Sequence, residues 1–110
     1  MQTTSHVLMV RPALFAANPQ TLPSNAFQEP GPVSPETHAR AVAEFDRYAG
    51  ALDSAGVEVL VAEDAVEPHR PDAVFPNNWV SFHEDGTVVL YPMEAPNRRL
   101  ERREEVLDLV

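Results

Sequence analysis

The residues with most chemical content form one short stretch, Pro71-Asp72-Ala73-Val74-Phe75-Pro76-Asn77-Asn78-Trp79-Val80. An acid, two amides and two aromatic rings are gathered there between a loop and a strand. A carboxylate and amide oxygens can accept the N–H edges of a planar delocalised group, and an aromatic face can pack against its plane. Guanidinium and ureido groups have that shape. A second reading of the same residues is a turn, because Asn after Pro tolerates left-handed geometry and bonds its own backbone. Composition alone leaves both readings open.

Other reactive side chains are scattered. The four histidines, His6, His38, His69 and His83, form no close ligand pair and no HExxH arrangement, so no metal site is expected. His38 and His83 are expected at the surface. The acidic pairs Glu63-Asp64 and Glu104-Glu105 read as solvated loop and helix faces. Only four glycines occur, dispersed, which excludes a glycine-rich phosphate loop, and no local serine motif suggests a nucleophile. There is no cysteine, so disulfides, thiolate ligands and a cysteine nucleophile are all excluded from these residues. No catalytic residue, metal or organic cofactor is assigned.

These side chains must be positioned by a small α/β unit. Val7-Leu8-Met9-Val10 reads as a buried strand ended by Arg11-Pro12. Pro12, Pro19, Pro23, Pro30, Pro32 and Pro35 keep the following stretch free of regular structure. A helix then starts with Ser34 as cap, Pro35 at its first position and Glu36 favoured by the helix dipole. Val42, Phe45, Ala49 and Leu52 fall on one helical face, and Gly56 is placed to end the helix. Val57 to Val61 is a β-branched strand, expected parallel to the first. Trp79–Phe82 and Thr87–Tyr91 flank Glu84-Asp85-Gly86 as a hairpin, expected to make the sheet mixed. A second helix is expected from about Arg98, with Leu100, Val106, Leu107 and Val110 on one face and Arg98, Arg99, Arg102 and Arg103 on the other. It meets no glycine cap before Val110, so the chain is expected to be interrupted there.

At 110 residues the sequence is one domain at most, and its 44% hydrophobic content is that of a folded soluble protein. Seventeen acidic against eight basic side chains give a net charge of −9, which repels phosphate backbones and anionic lipid. Nucleic-acid and membrane partners are therefore not expected, nor is a signal or membrane-spanning segment. A cytoplasmic location follows by elimination.

The run from Asp72 to His83, and on through Pro92 to Arg98-Arg99-Leu100-Glu101-Arg102-Arg103, resembles the first module of the penteins, the arginine deiminase and amidinotransferase superfamily. It is most similar to the arginine deiminase-related citrulline-utilisation branch, as are Val7–Pro12 and Asn25-Ala26-Phe27-Gln28. The resemblance implies one blade of a five-bladed α/β propeller, with residues 1–97 as the first module and 98–110 opening a second. It implies hydrolysis or transfer at a guanidino or ureido carbon, through a cysteine and a histidine supplied by later modules. Carried over by position, Asp72 and Asn78 bond the substrate's nitrogens, Phe75 packs on its plane and Asn77 shapes the same edge. Many deiminases have a carboxylate where Asn78 stands. The neutral amide implies a weaker grip on a cation such as arginine, and a better fit to a neutral ureido compound such as citrulline.

Lacking the nucleophile, the chain is expected to be an inactive N-terminal portion of such an enzyme. The alternative is a standalone ligand-binding or oligomerising α/β module without catalysis. A single blade leaves apolar faces and sheet edges uncovered, so self-association is expected in either case.

Overall fold

A computed structural model of the chain describes residues 4–15 and 35–110. Strand β1 (His6–Arg11) is followed by helix α1 (Pro35–Ser54) and strand β2 (Glu58–Glu63). Strands β3 (Val80–Phe82) and β4 (Val88–Leu90) and the four-residue helix α2 (Glu104–Leu107) complete the order, with 3-10 turns at Pro76–Asn78 and Pro96–Glu101. The expected Ser34 cap and the Asn25–Gln28 segment lie outside the described residues.

The strand–helix–strand unit forms as its residue pattern dictates. β1 and β2 pair in parallel, with Leu8 opposite Leu60 and Val10 opposite Ala62. Helix α1 packs against β2 and buries Phe45. Gly56 ends the helix with φ +90°, a region in which a Cβ is strained. The Gly56 N–H then reaches the Asp53 carbonyl and the Val57 N–H the Leu52 carbonyl, both at 3.0 Å, which closes the helix as a Schellman motif. Arg11 at the end of β1 grips Asp46 of α1 through two 3.0 Å hydrogen bonds. That hydrogen bonding, ahead of the opposing cost of burial, holds the Asp46 carboxyl below its ordinary range.

The hairpin also forms where expected. Glu84-Asp85-Gly86 closes it, Gly86 at φ +89°, with the Gly86 N–H bonded to the His83 carbonyl at 2.9 Å and His83 N–H to Thr87 at 3.0 Å. It does not join the first sheet, however. β3 and β4 form a separate antiparallel pair, so the expected single mixed sheet is replaced by two two-stranded sheets. The hairpin is attached through side chains instead of a shared ladder. Trp79 and Val80 enter a core with Val10, Ala62, Ala73, Met93 and Val106, against which Leu8 and Leu107 pack.

The expected continuous second helix is also replaced. Residues 96–101 form a 3-10 turn, Arg102 and Arg103 leave helical geometry (Arg103 at φ −109°, ψ 131°), and α2 begins anew. Side-chain demands explain the break: Glu101 and Val106 must both be buried, and one helical stripe does not supply that spacing. Leu100 and Val110, assigned to the buried face, are exposed.

Candidate functional site

The 71–79 stretch is a series of tight turns. The Phe75 N–H bonds to the Asp72 carbonyl at 3.0 Å, Asn78 N–H to Phe75 at 3.1 Å and Trp79 N–H to Pro76 at 3.0 Å. Trp79, 1% exposed, pins the end of this series into the core. The turn reading of the asparagine pair is thus correct for the backbone, and it is compatible with a polar role for the side chains. A turn wound against a buried indole holds its neighbours at fixed angles to the surface.

Two of the four expected site residues converge, and they converge on a guanidinium. Arg98 donates from Nη1 to Asn78 Oδ1 at 3.0 Å and lies 3.6 Å, Nε to Oδ2, from Asp72. Glu101 completes the set in a two-pronged pair, Nε to Oε2 at 3.0 Å and Nη2 to Oε1 at 3.1 Å. Arg98 and Asp72 side chains are only 13% and 14% exposed, so these contacts are partly shielded from water and from salt. Phe75 stands 45% exposed at the start of the 3-10 turn. Asn77 falls on another side: it lines an open, mostly apolar cleft of about 500 Å³ beside Leu8, Phe45 and Phe82. Asp72 and Asn78 thus face one guanidinium, and the structure does not bring Asn77 to them.

The sequence analysis placed Arg98 only on the charged face of a helix and gave Glu101 no role, so their part in this cluster comes from the structure. The available signal was their spacing of three, which joins opposite charges across a helical turn. Glu101 is buried, and burial pushes its carboxyl above the ordinary value, opposed by the Arg98 hydrogen bonds and charge and reinforced by the charges of Asp72 and Asp64. The solvated reading of Glu63-Asp64 holds for Glu63, whose side chain is exposed, and needs correction for Asp64. Asp64 has a side chain 2% exposed, bound by Arg70 at 2.8 Å, while Arg70 Nε reaches the Leu100 carbonyl at 2.9 Å. Asp64, Asp72 and Glu101 thus each lie against an arginine.

The histidines serve other contacts. His6 pairs with Glu58 at 2.7 Å, His38 Nδ1 accepts the Phe15 N–H at 2.9 Å, His69 Nε2 donates to the Leu14 carbonyl at 3.2 Å, and His83 Nε2 lies 2.9 Å from Ser81 Oγ. Among the described residues no group of three or more His, Asp and Glu is arranged to hold a metal ion, and no helix is long and apolar enough to cross a membrane. What the Asp72–Asn78–Glu101 arrangement can do is accept the N–H edges of a planar cation.

A family model described as N,N dimethylarginine dimethylhydrolase, eukaryotic, matches residues 11–110. The chain belongs to the dimethylarginine dimethylhydrolase family. That family lies within the pentein superfamily, and its matched span contains the whole Asp72–Arg98–Glu101 cluster. No curated protein and no solved structure matches the chain. The superfamily is the one that the 72–103 run resembles, and the branch is the dimethylarginine dimethylhydrolases.

Proposed function

We propose that this chain carries the guanidino-holding part of a hydrolase that acts on methylated arginine or a closely related guanidino or ureido compound. One observation carries the reading: Asp72 and Asn78, assigned to nitrogen recognition, surround a guanidinium in this structure, that of Arg98. The pair thereby holds acceptors at a spacing that suits the N–H edge of a planar cation. The family to which the chain belongs takes its name from hydrolysis of such a group. Asp72 supplies the charge, Asn78 a neutral acceptor and Phe75 an exposed ring against which a flat ligand can lie. Asn77 takes no part in this grip, since it lines the separate cleft beside Leu8, Phe45 and Phe82.

The same residues form one blade of a propeller, in which neighbouring modules supply the cysteine and histidine that perform the chemistry. With no cysteine among its 110 residues, the chain binds without turnover. The apolar side chains of the hairpin, Phe82, Val88, Leu90 and Tyr91, remain exposed and support self-association by the isolated chain. Sedimentation should show a mass that rises with concentration; a monomer at every concentration would refute it.

The deciding experiment is calorimetry with dimethylarginine and with citrulline, on the chain and on the Asp72→Ala, Asn78→Ala double variant. Binding that the double variant loses, by about tenfold or more, is expected. Restoring a carboxylate with Asn78→Asp should favour the cationic ligand over citrulline. Equal binding by chain and double variant would remove Asp72 and Asn78 from the site.

A further inference from the structure

A second arginine-rich place in the molecule has the opposite character to the Arg98 cluster. Two buried donors, the Trp79 indole Nε1–H and the Arg103 Nε–H, meet no acceptor among the described residues. Both residues line the same cleft, of about 360 Å³. Buried polar groups are almost always bonded, so two orphan donors on residues that line one cleft point to an acceptor from outside. None of the residues lining it belongs to the Asp72–Asn78–Arg98–Glu101 cluster.

The rest of the lining specifies that acceptor. Arg99 and Arg102 join Arg103 there, against the single acid Glu104, so the cleft is cationic in a chain whose net charge is −9. Arg99 is fixed in place by donating to the Met93 and Glu94 carbonyls at 3.0 and 3.2 Å. Arg103 is only loosely spent, with contacts of 3.5 Å to the Glu63 carbonyl, 3.5 Å to Glu105 and 3.9 Å to Asp64. Leu90 and Leu107 form apolar walls beside the indole.

We propose that this cleft binds a small organic oxyanion, whose oxygens accept from Trp79 Nε1 and Arg103 Nε while Arg102 supplies further positive charge. A carboxylate on a short apolar stem suits it better than phosphate, because Glu104 opposes a second negative charge and the two leucines favour a hydrocarbon. The cleft thereby differs in sign from the guanidino site: one part of the chain receives a planar cation, the other an anion.

The chain's single tryptophan makes the test direct, because the indole N–H resonance of Trp79 reports on the proposed contact. The full chain is titrated by NMR with butyrate, with inorganic phosphate and with chloride, at constant ionic strength. A saturable shift of the indole N–H with butyrate is expected, weaker with phosphate and absent with chloride. A tighter response to phosphate also supports the oxyanion site and assigns it to phosphate compounds instead of carboxylates. Arg102→Gln, at an exposed position, and Arg103→Lys, which keeps the charge and removes Nε, should each weaken the response about tenfold. The Asp72→Ala variant should leave it unchanged, which separates failure here from failure of the guanidino reading. A response equal in chloride, no response to either oxyanion, or a response that survives both arginine substitutions would overturn the proposal.

Discussion

Arg98 and Arg103 stand five positions apart, and their side chains are equally shielded, each 13% exposed. Their surroundings differ completely. Arg98 uses all three of its guanidinium nitrogens on acceptors at 3.0–3.1 Å, with Asp72 close by. Among the described residues, Arg103 leaves Nε without a partner and makes its remaining contacts at 3.5 Å or more. Burial alone therefore does not say what an arginine is for. A guanidinium with every edge met is part of the scaffold that shapes a site, whereas one with a buried edge unmet has capacity left for a ligand. The two also differ in what depends on them: Glu101 relies on Arg98, while Asp64 has Arg70 at 2.8 Å in addition to Arg103.

Removing each arginine in turn tests that contrast most strongly. Arg98→Ala strands the buried Glu101 carboxylate, and loss of one partner from a buried pair costs about 3–5 kcal/mol. Urea unfolding at neutral pH should show a loss of that size, smaller in acid, where Glu101 takes up a proton. Arg103→Ala leaves Asp64 paired and removes only long contacts, so a cost of about 1 kcal/mol is expected. Equal losses for the two variants would erase the distinction between a spent and an unspent guanidinium.

The strand–helix–strand unit was far more legible in sequence than the region after Pro92. β1, α1 and β2 follow from local signals: a β-branched run, apolar positions at helical spacing, and Gly56 as a left-handed stop. The hairpin was equally plain from Asp85-Gly86. What sequence could not show was association between segments. That the hairpin leaves the first sheet depends on Trp79 and Val80 packing against Val106, more than twenty residues away. The region after Pro92 was misread because its period looked helical, whereas Glu101 and Val106 are both drawn inward and break the helix between them. The same cause hid half of the Arg98 cluster. Asp72 and Asn78 were legible as a motif, but Arg98 and Glu101 become partners only when the 96–101 turn is laid beside the 71–79 turns. A charged side chain in sequence carries no mark of its burial.

The finest test concerns the sign with which Glu101 contributes. Burial raises its folded-state pKa above the ordinary value of 4.5, even with Arg98 opposing the shift. A carboxyl raised in this way holds its proton more tightly in the folded than in the unfolded state. Its contribution is fully present below the unfolded value and is lost as pH rises through the folded one. Asp46 runs the other way: its depressed pKa adds stability above about 3.8 that is lost as pH falls. Glu101→Gln removes the first titration and leaves the second in place, so subtracting the two stability curves isolates Glu101. The advantage of the parent chain over Glu101→Gln should shrink as pH rises from 4 to 7, by about 1.4 kcal/mol for each unit by which the pKa is raised. If the Arg98 pair outweighed burial, the advantage would instead grow with pH. Growth would mean that Arg98 more than compensates the carboxylate it holds, and that the cluster draws net stability from its charges instead of giving it up to keep a guanidinium in place.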